Sequence, residues 1–127
     1  MTESLLQALD VFMLVFHACF IAFILLGWLV PAWRKLHLVC VWLTAASWSL
    51  LGLFYGFGYC PLTDWHWRIL ERLGERGLPA SYVQYLFARV AGIRMSADFA
   101  DGITLMGLLM AMVISVYLAV KCIVHRA

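Results

Sequence analysis

Nine consecutive positions, Tyr59 to Trp67, bring a thiol, a carboxylate, an imidazole and two indoles together: Tyr-Cys-Pro-Leu-Thr-Asp-Trp-His-Trp. The thiol of Cys60, the carboxylate of Asp64 and the imidazole of His66 are ligand types that hold zinc or copper. A second imidazole, His17, stands inside an apolar run, seven residues or ~10 Å of helical rise beyond Asp10. An ionisable group at that depth is costly to bury and marks a functional candidate. Two imidazoles from separate elements, His17 and His66, are the pairing that would hold a haem iron. The candidate cofactor ligands are therefore His17 and His66, and the candidate metal set is Cys60, Asp64 and His66.

Each of these groups also has a plainer role. Thr63 or Asp64 suits a helix cap, and Trp65 and Trp67 suit interfacial anchoring. His17 can be a neutral imidazole bonded to a neighbouring helix. Cys60 and His66 are six residues apart with Pro61 between them, which does not set the geometry of a nucleophile and its base. Cys19, Cys40 and Cys122 sit in apolar runs, where cysteine behaves as a small hydrophobe. No CxxC pair occurs, so zinc-ribbon and thioredoxin readings fail on spacing, and no partner for a Cys60 disulfide is evident. Asp10, Asp98 and Asp101, with Arg89 and Arg94, read as salt bridges or caps. Phosphate-cradling glycine loops are absent.

The elements that must position these residues are membrane helices. Of 127 residues, 65% are hydrophobic and 13% charged, against roughly 45–50% and about 25% in soluble domains. Mean hydropathy is +0.94. A core this small cannot hide that excess. The pattern predicts an all-α membrane protein with three transmembrane helices, over about 8–30, 37–58 and 99–121, forming a single integral membrane domain across 1–127. Val11 to Val30 is uncharged and long enough to cross the hydrocarbon core. The N-terminus has no positive n-region or small-residue cleavage site, so this segment is expected to stay as the first span. Gly52 and Gly56 form a GxxxG, a weak packing signal. Gly102, Gly107, Ala111 and Ser115 put small residues on one face of the third span.

Two short interfacial helices, about 64–74 and 80–91, are predicted in the long loop, lying on the membrane or folded back over the spans. Trp65, Ile69 and Leu73 would form the apolar face of the first; Tyr82, Val83, Leu86, Phe87 and Val90 that of the second. Gly74, Gly77 and Gly92 are the expected stops. Arg34, Lys35, Lys121 and Arg126 share one side and have no acidic residue among them, whereas the other side carries all seven acidic residues. The positive-inside rule then puts the N-terminus and the 59–98 loop outside and the C-terminus in the cytoplasm. Arg34 and Lys35, with His37, are expected to meet anionic lipid head groups.

The run Gly-Phe-Gly-Tyr-Cys-Pro-Leu-Thr-Asp-Trp-His-Trp, followed by Leu-Pro-Ala-Ser-Tyr-Val-Gln-Tyr-Leu, resembles a family of small bacterial multi-pass inner-membrane proteins of unknown function. The likeness extends through Phe16-His17, Leu26-Gly27-Trp28, the Arg34-Lys35-Leu36-His37 link and Ser47-Trp48, and so covers most of the chain. It implies a bacterial inner membrane, with the outer loop periplasmic. It also implies that Tyr59, Cys60, Pro61, Thr63, Asp64, Trp65, His66 and Trp67 belong to a shared motif. It supplies no activity, cofactor or partner.

Function in the strict sense is not legible from these residues. The leading expectation is a non-enzymatic accessory, scaffold or assembly subunit of a membrane complex. Its partners would be the lipid bilayer and another membrane protein or a second copy; nucleic acid is not expected. No cofactor is the first expectation, and a haem- or transition-metal-binding protein with its site near the outer face is the alternative. A second alternative is a lipid- or quinone-binding protein using an aromatic groove near Trp48, Tyr55, Tyr59 and Trp65.

Overall fold

The computed structural model describes residues 2–56 and 59–126, without the side chain of Arg126. Its helices are α1 (Glu3–Leu26), α2 (Arg34–Ala46), α3 (Gly52–Tyr55), α4 (Pro61–Arg72), α5 (Tyr82–Leu86) and α6 (Ala97–Arg126). A wide π-type turn, Ser47–Leu51, carries α2 into α3, and another, Phe87–Ala91, extends α5. No strand occurs among the described residues. Three stretches are long and apolar enough to cross a membrane: Glu3–Leu29, Pro31–Tyr55 and Ala97–His125. The three expected spans are present, together with two shorter helical segments between the second and third. The expected end of the second span at Gly58 lies outside the described residues. Gly56, at φ 108°, stops α3, so it works as a terminator rather than as a packing site in a GxxxG.

Local chemistry sets the loop-helix boundaries. α4 begins at Pro61, three residues before the expected start. Proline's fixed φ is pre-organised for the first turn and its missing N–H is not needed there. Cys60 is the extended N-cap residue and makes no side-chain cap bond, so Thr63 and Asp64 lie inside the first turn rather than capping it. The helix ends in a Schellman motif: Glu75 N donates to Leu70 O and Gly74 N to Glu71 O, both at 3.0 Å. Gly74 takes φ 98°, which only glycine adopts without strain. Ser81 caps α5 by accepting from Gln84 N at 3.3 Å, and Ser96 caps α6 by accepting from Phe99 N at 3.1 Å.

The chain divides into two compact units, one of residues 1–19 and 60–104 and the other of 20–59 and 105–127. In the second, Ile24, Val41, Leu108 and Ala111 are buried together, with Phe20, Cys40, Ala45, Trp48 and Met112 packed around them. Gly107 lies so close to Leu25 that an added Cβ would sit 3.0 Å from its Cδ2, and Ala111 and Ser115 are buried. Gly102, expected on the same small-residue face, has open space beside it.

The end of α1 shows what a helix terminus in an apolar setting demands. Its last carbonyls have no helical partner, and hydrocarbon offers none. His37 Nε2 donates to Ile24 O at 2.7 Å, and Trp28 Nε1 to Leu25 O at 2.8 Å. Arg34 Nε then donates to Trp28 O at 3.0 Å. His37 is thus 1% exposed and caps α1, rather than joining Arg34 and Lys35 among head groups; those two are exposed. The bare Cα of Gly27 makes room for this. A Cβ there would come within 2.8 Å of the Phe23 ring and 3.1 Å of His37 Cδ2, and Phe23 is itself packed against Trp33 and His37. Gly27→Ala should therefore cost about 1–3 kcal/mol through overpacking, read as a lower unfolding temperature in mild detergent. An unchanged midpoint would show that the Phe23 ring gives way freely.

Candidate functional site

The first unit holds three buried polar residues among those described, His17, His66 and Ser81. Three elements build a cluster there. α1 supplies Asp10 and, two turns on along the same helix, His17. α4 supplies His66, Trp67 and Leu70. α5 and its π-type extension supply Tyr82, Tyr85 and Arg89, spaced i, i+3 and i+7 and so sharing one face.

His66 is the centre and is 0% exposed. Its Nε2 donates to Asp10 Oδ1 at 2.7 Å. A carboxylate only accepts, so with the ring neutral Nδ1 is left to accept from the Tyr82 hydroxyl at 2.9 Å. Asp10 is held from its other side by Arg89, whose Nη1 donates to Oδ1 at 2.7 Å and Nη2 to Oδ2 at 2.9 Å. This bidentate, charge-assisted pair is the strong kind of ionic contact. Arg89 Nη1 also donates to the Tyr85 hydroxyl at 2.8 Å.

Aromatic stacking encloses this network. The Tyr82 ring stacks on His17 at 3.8 Å and on Trp67 at 5.2 Å between centroids. Tyr85 meets Trp67 edge-on at 4.8 Å. Trp67 Nε1 donates to Pro79 O at 3.0 Å, tying the turn between α4 and α5 to α4. Gln84 Nε2 donates to Met95 O at 3.1 Å, tying the segment before α6 to α5.

His17 and His66 each contact the Tyr82 ring, with that ring between them. His17 is 5% exposed, and its Nδ1 has no hydrogen-bond partner among the described residues. Cys60, Asp64 and His66 are not gathered into a coordination set: no group of three or more His, Cys, Asp or Glu residues suited to a metal occurs among the described residues. Both His66 nitrogens are engaged by Asp10 and Tyr82, and Asp64 Oδ2 lies 3.3 Å from Arg68 Nη2 on the α4 surface. All four cysteines are thiols.

The buried faces differ from those read off the apolar pattern. On α4 the inward residues are His66 and Leu70, while Trp65 is 57% exposed. On α5, Tyr82 is inward and Val90 outward. Trp67 is a packing and hydrogen-bonding residue rather than a surface anchor. Of the proposed aromatic groove, Tyr59 stacks on Tyr55 at 4.5 Å, its carbonyl accepts from Ser47 Oγ at 2.9 Å, and Trp48 packs against the core of the second unit. Sequence reasoning singled out His66 and His17, read Asp10 and Arg89 among the salt bridges or caps, which the ion pair between the two matches, and put Tyr82 on an apolar helix face; it passed over Tyr85 and did not join these residues into one cluster. The signal that could have found them is the shared face Tyr82-Tyr85-Arg89, together with an α1 face that carries a lone carboxylate and a lone imidazole seven residues apart.

With this geometry in place, the chain can be set beside known proteins. The family model described as Protein of Unknown function (DUF2784) matches residues 7–120. The chain belongs to that family. No curated protein and no solved structure matches it. The matched region takes in the second span, most of the first and third, and the whole cluster from Asp10 to Arg89, so the cluster lies within the family's domain.

Burial raises the Tyr82 phenol above its ordinary range, with the neighbouring Tyr85 adding to the effect. Burial raises Tyr85 too, against the pull of Arg89. The hydrogen bond to Asp10 holds Arg89 charged well above its usual range. For the phenols, the folded chain keeps a proton that the unfolded chain releases near pH ~10. Stability from this source is therefore fully present below about pH 10 and falls as pH rises above it. Unfolding midpoints measured from pH 8 to 11.5 should drop above about pH 10, and Tyr82→Phe should flatten that drop while lowering the neutral-pH stability by ~1–2 kcal/mol for the unpaired His66 nitrogen. An alkaline slope unchanged in Tyr82→Phe would contradict the assignment.

Proposed function

We propose that this protein is a non-enzymatic accessory or scaffold subunit of a membrane complex in a bacterial inner membrane. We further propose that its N-terminus and 59–98 loop are periplasmic and its C-terminus cytoplasmic. One observation carries the reading: the most elaborate polar cluster spends its central groups on one another. An imidazole held between a carboxylate and a hydroxyl can activate that hydroxyl, but here His66 is 0% and Tyr82 6% exposed, so the Asp10–His66–Tyr82 chain is closed to a substrate from outside. That arrangement suits a fastening, and a fastened loop suits a fixed surface for a partner. The orientation rests on Arg34, Lys35, Lys121 and Arg126, which share one side with no acidic residue.

A ligand-holding role is the second reading, favoured by the unpartnered Nδ1 of buried His17. One preparation separates the two. Protein extracted from its own membrane in mild detergent after cross-linking should migrate with a stoichiometric membrane partner, and should be colourless and metal-free. A Soret band or near-stoichiometric metal, lost in His17→Ala, would replace the scaffold reading with the cofactor reading. Migration of the chain alone, without any cross-linked partner, would contradict the subunit role. A single cysteine from Arg72→Cys, in a chain with its native thiols replaced, should react with an impermeant maleimide in intact cells; protection there would reverse the orientation.

A further inference from the structure

Beside the clasp lies a half-open cleft of about 350 Å³, lined by Asp10, Leu70, Leu73, Glu75, Tyr85 and Arg89. Asp10 immediately precedes the uncharged run from Val11 to Val30. The cleft therefore stands where the first span leaves the hydrocarbon, at the level of lipid head groups.

Hydrogen-bond accounting shows what the cleft can still bind. Arg89 Nη1 spends both hydrogens, on Asp10 Oδ1 and on the Tyr85 hydroxyl, and Nη2 spends one on Asp10 Oδ2. The second Nη2 hydrogen and the Nε hydrogen have no acceptor among the described residues. The Tyr85 oxygen accepts from Arg89, so its own hydrogen is also left to donate. Three donors thus border the cleft, and a guanidinium with two N–H groups to give is suited to phosphate oxygens. The acidic lining is equally informative. Asp10 is neutralised by Arg89, but the Glu75 carboxylate has no cationic partner among the described residues. Glu75 is near enough to Tyr85 to contribute to the upward shift of its phenol. Leu70 and Leu73 supply an apolar wall.

We propose that this cleft binds a phosphoethanolamine group: Arg89 and Tyr85 hold the phosphate, Glu75 holds the ammonium, and Leu70 and Leu73 face the adjoining carbon chain. The ligand is zwitterionic because the cleft is. A simple anion would gain Arg89 and meet Glu75 unpaired. A phosphocholine group would satisfy the charge but bring no N–H for Glu75 to accept. The same chemistry is carried by an aminophospholipid of the bilayer and by a soluble phosphoethanolamine ester.

The test uses the full chain, stripped of lipid in a nonionic detergent, with binding followed by native mass spectrometry. The probes are phosphatidylethanolamine, phosphatidylcholine, phosphatidylglycerol and soluble phosphoethanolamine. Phosphatidylethanolamine should bind about tenfold more tightly than the other two lipids, the gain of one charge-assisted hydrogen bond. Glu75→Gln should erase that preference, and Tyr85→Phe should weaken the aminophospholipid severalfold. Arg89 is left intact because Asp10 depends on it, and Glu75 makes no side-chain contact that the fold would miss. Unfolding midpoints equal to wild type confirm that each variant is folded. Displacement of the lipid by soluble phosphoethanolamine at comparable concentration makes the free ester the ligand; resistance to it makes the lipid the ligand. Equal binding of the three lipids, no binding of any probe, or an undiminished preference in Glu75→Gln overturns the proposal.

Discussion

A single carboxylate organises the first compact unit. Asp10 accepts from His66 and from two nitrogens of Arg89, joining residues 56 and 79 positions away in sequence. Closing loops of that length costs entropy, although the cost grows only slowly with length. The contacts that repay it must be strong, and these are charge-assisted and largely withdrawn from water. The Asp10 side chain is 13% exposed and that of Arg89 32% exposed. Removing one partner would leave the other charge exposed to an apolar setting with nothing to answer it.

Much of the neighbouring structure follows from that contact. Once His66 Nε2 donates to Asp10, Nδ1 must find a donor, and Tyr82 is placed to be it. The Tyr82 ring is then available to both His17 and Trp67, and Trp67 takes hold of the turn at Pro79. The helix caps support this from outside. Pro61 starts α4 at the register that turns His66 inward, and Ser81 starts α5 at the register that turns Tyr82 inward and lets the exposed Arg89 reach Asp10. In the second unit the same need for satisfied polar groups is met differently, by His37 and Trp28 side chains closing the end of α1.

The three spans were legible because length and apolar composition decide them, and the stops at Gly74 and Gly92 because only certain backbones accept φ > 0. The inward faces of α4 and α5 were not legible. Apolar periodicity points to Trp65, Ile69 and Leu73, yet the face that packs contains His66, a residue such a pattern scores as outward. It is inward because its partner, Asp10, comes from a helix more than fifty residues earlier, and no local pattern announces that pairing. His37 was misread for a related reason. Its neighbours Arg34 and Lys35 mark a charged surface, but the open carbonyl of Ile24 draws the ring in, and Gly27 leaves it room. Within the stretch from Tyr59 to Trp67, His66 is bound to a carboxylate and a phenol.

A scaffold reading makes physical sense of this economy, because a loop pinned by its own buried polar groups keeps one shape for whatever binds it. The central claim is that Asp10 does the pinning. Amide hydrogen exchange in mild detergent tests it most directly, comparing wild type with Asp10→Asn. The account predicts that α4 and α5 lose protection by about tenfold, matching the loss of ~1–2 kcal/mol from a partly exposed, charge-assisted pair, while α2 exchanges as before. Unchanged protection across 61–91 in Asp10→Asn would mean that aromatic packing alone holds the loop, and would contradict the account.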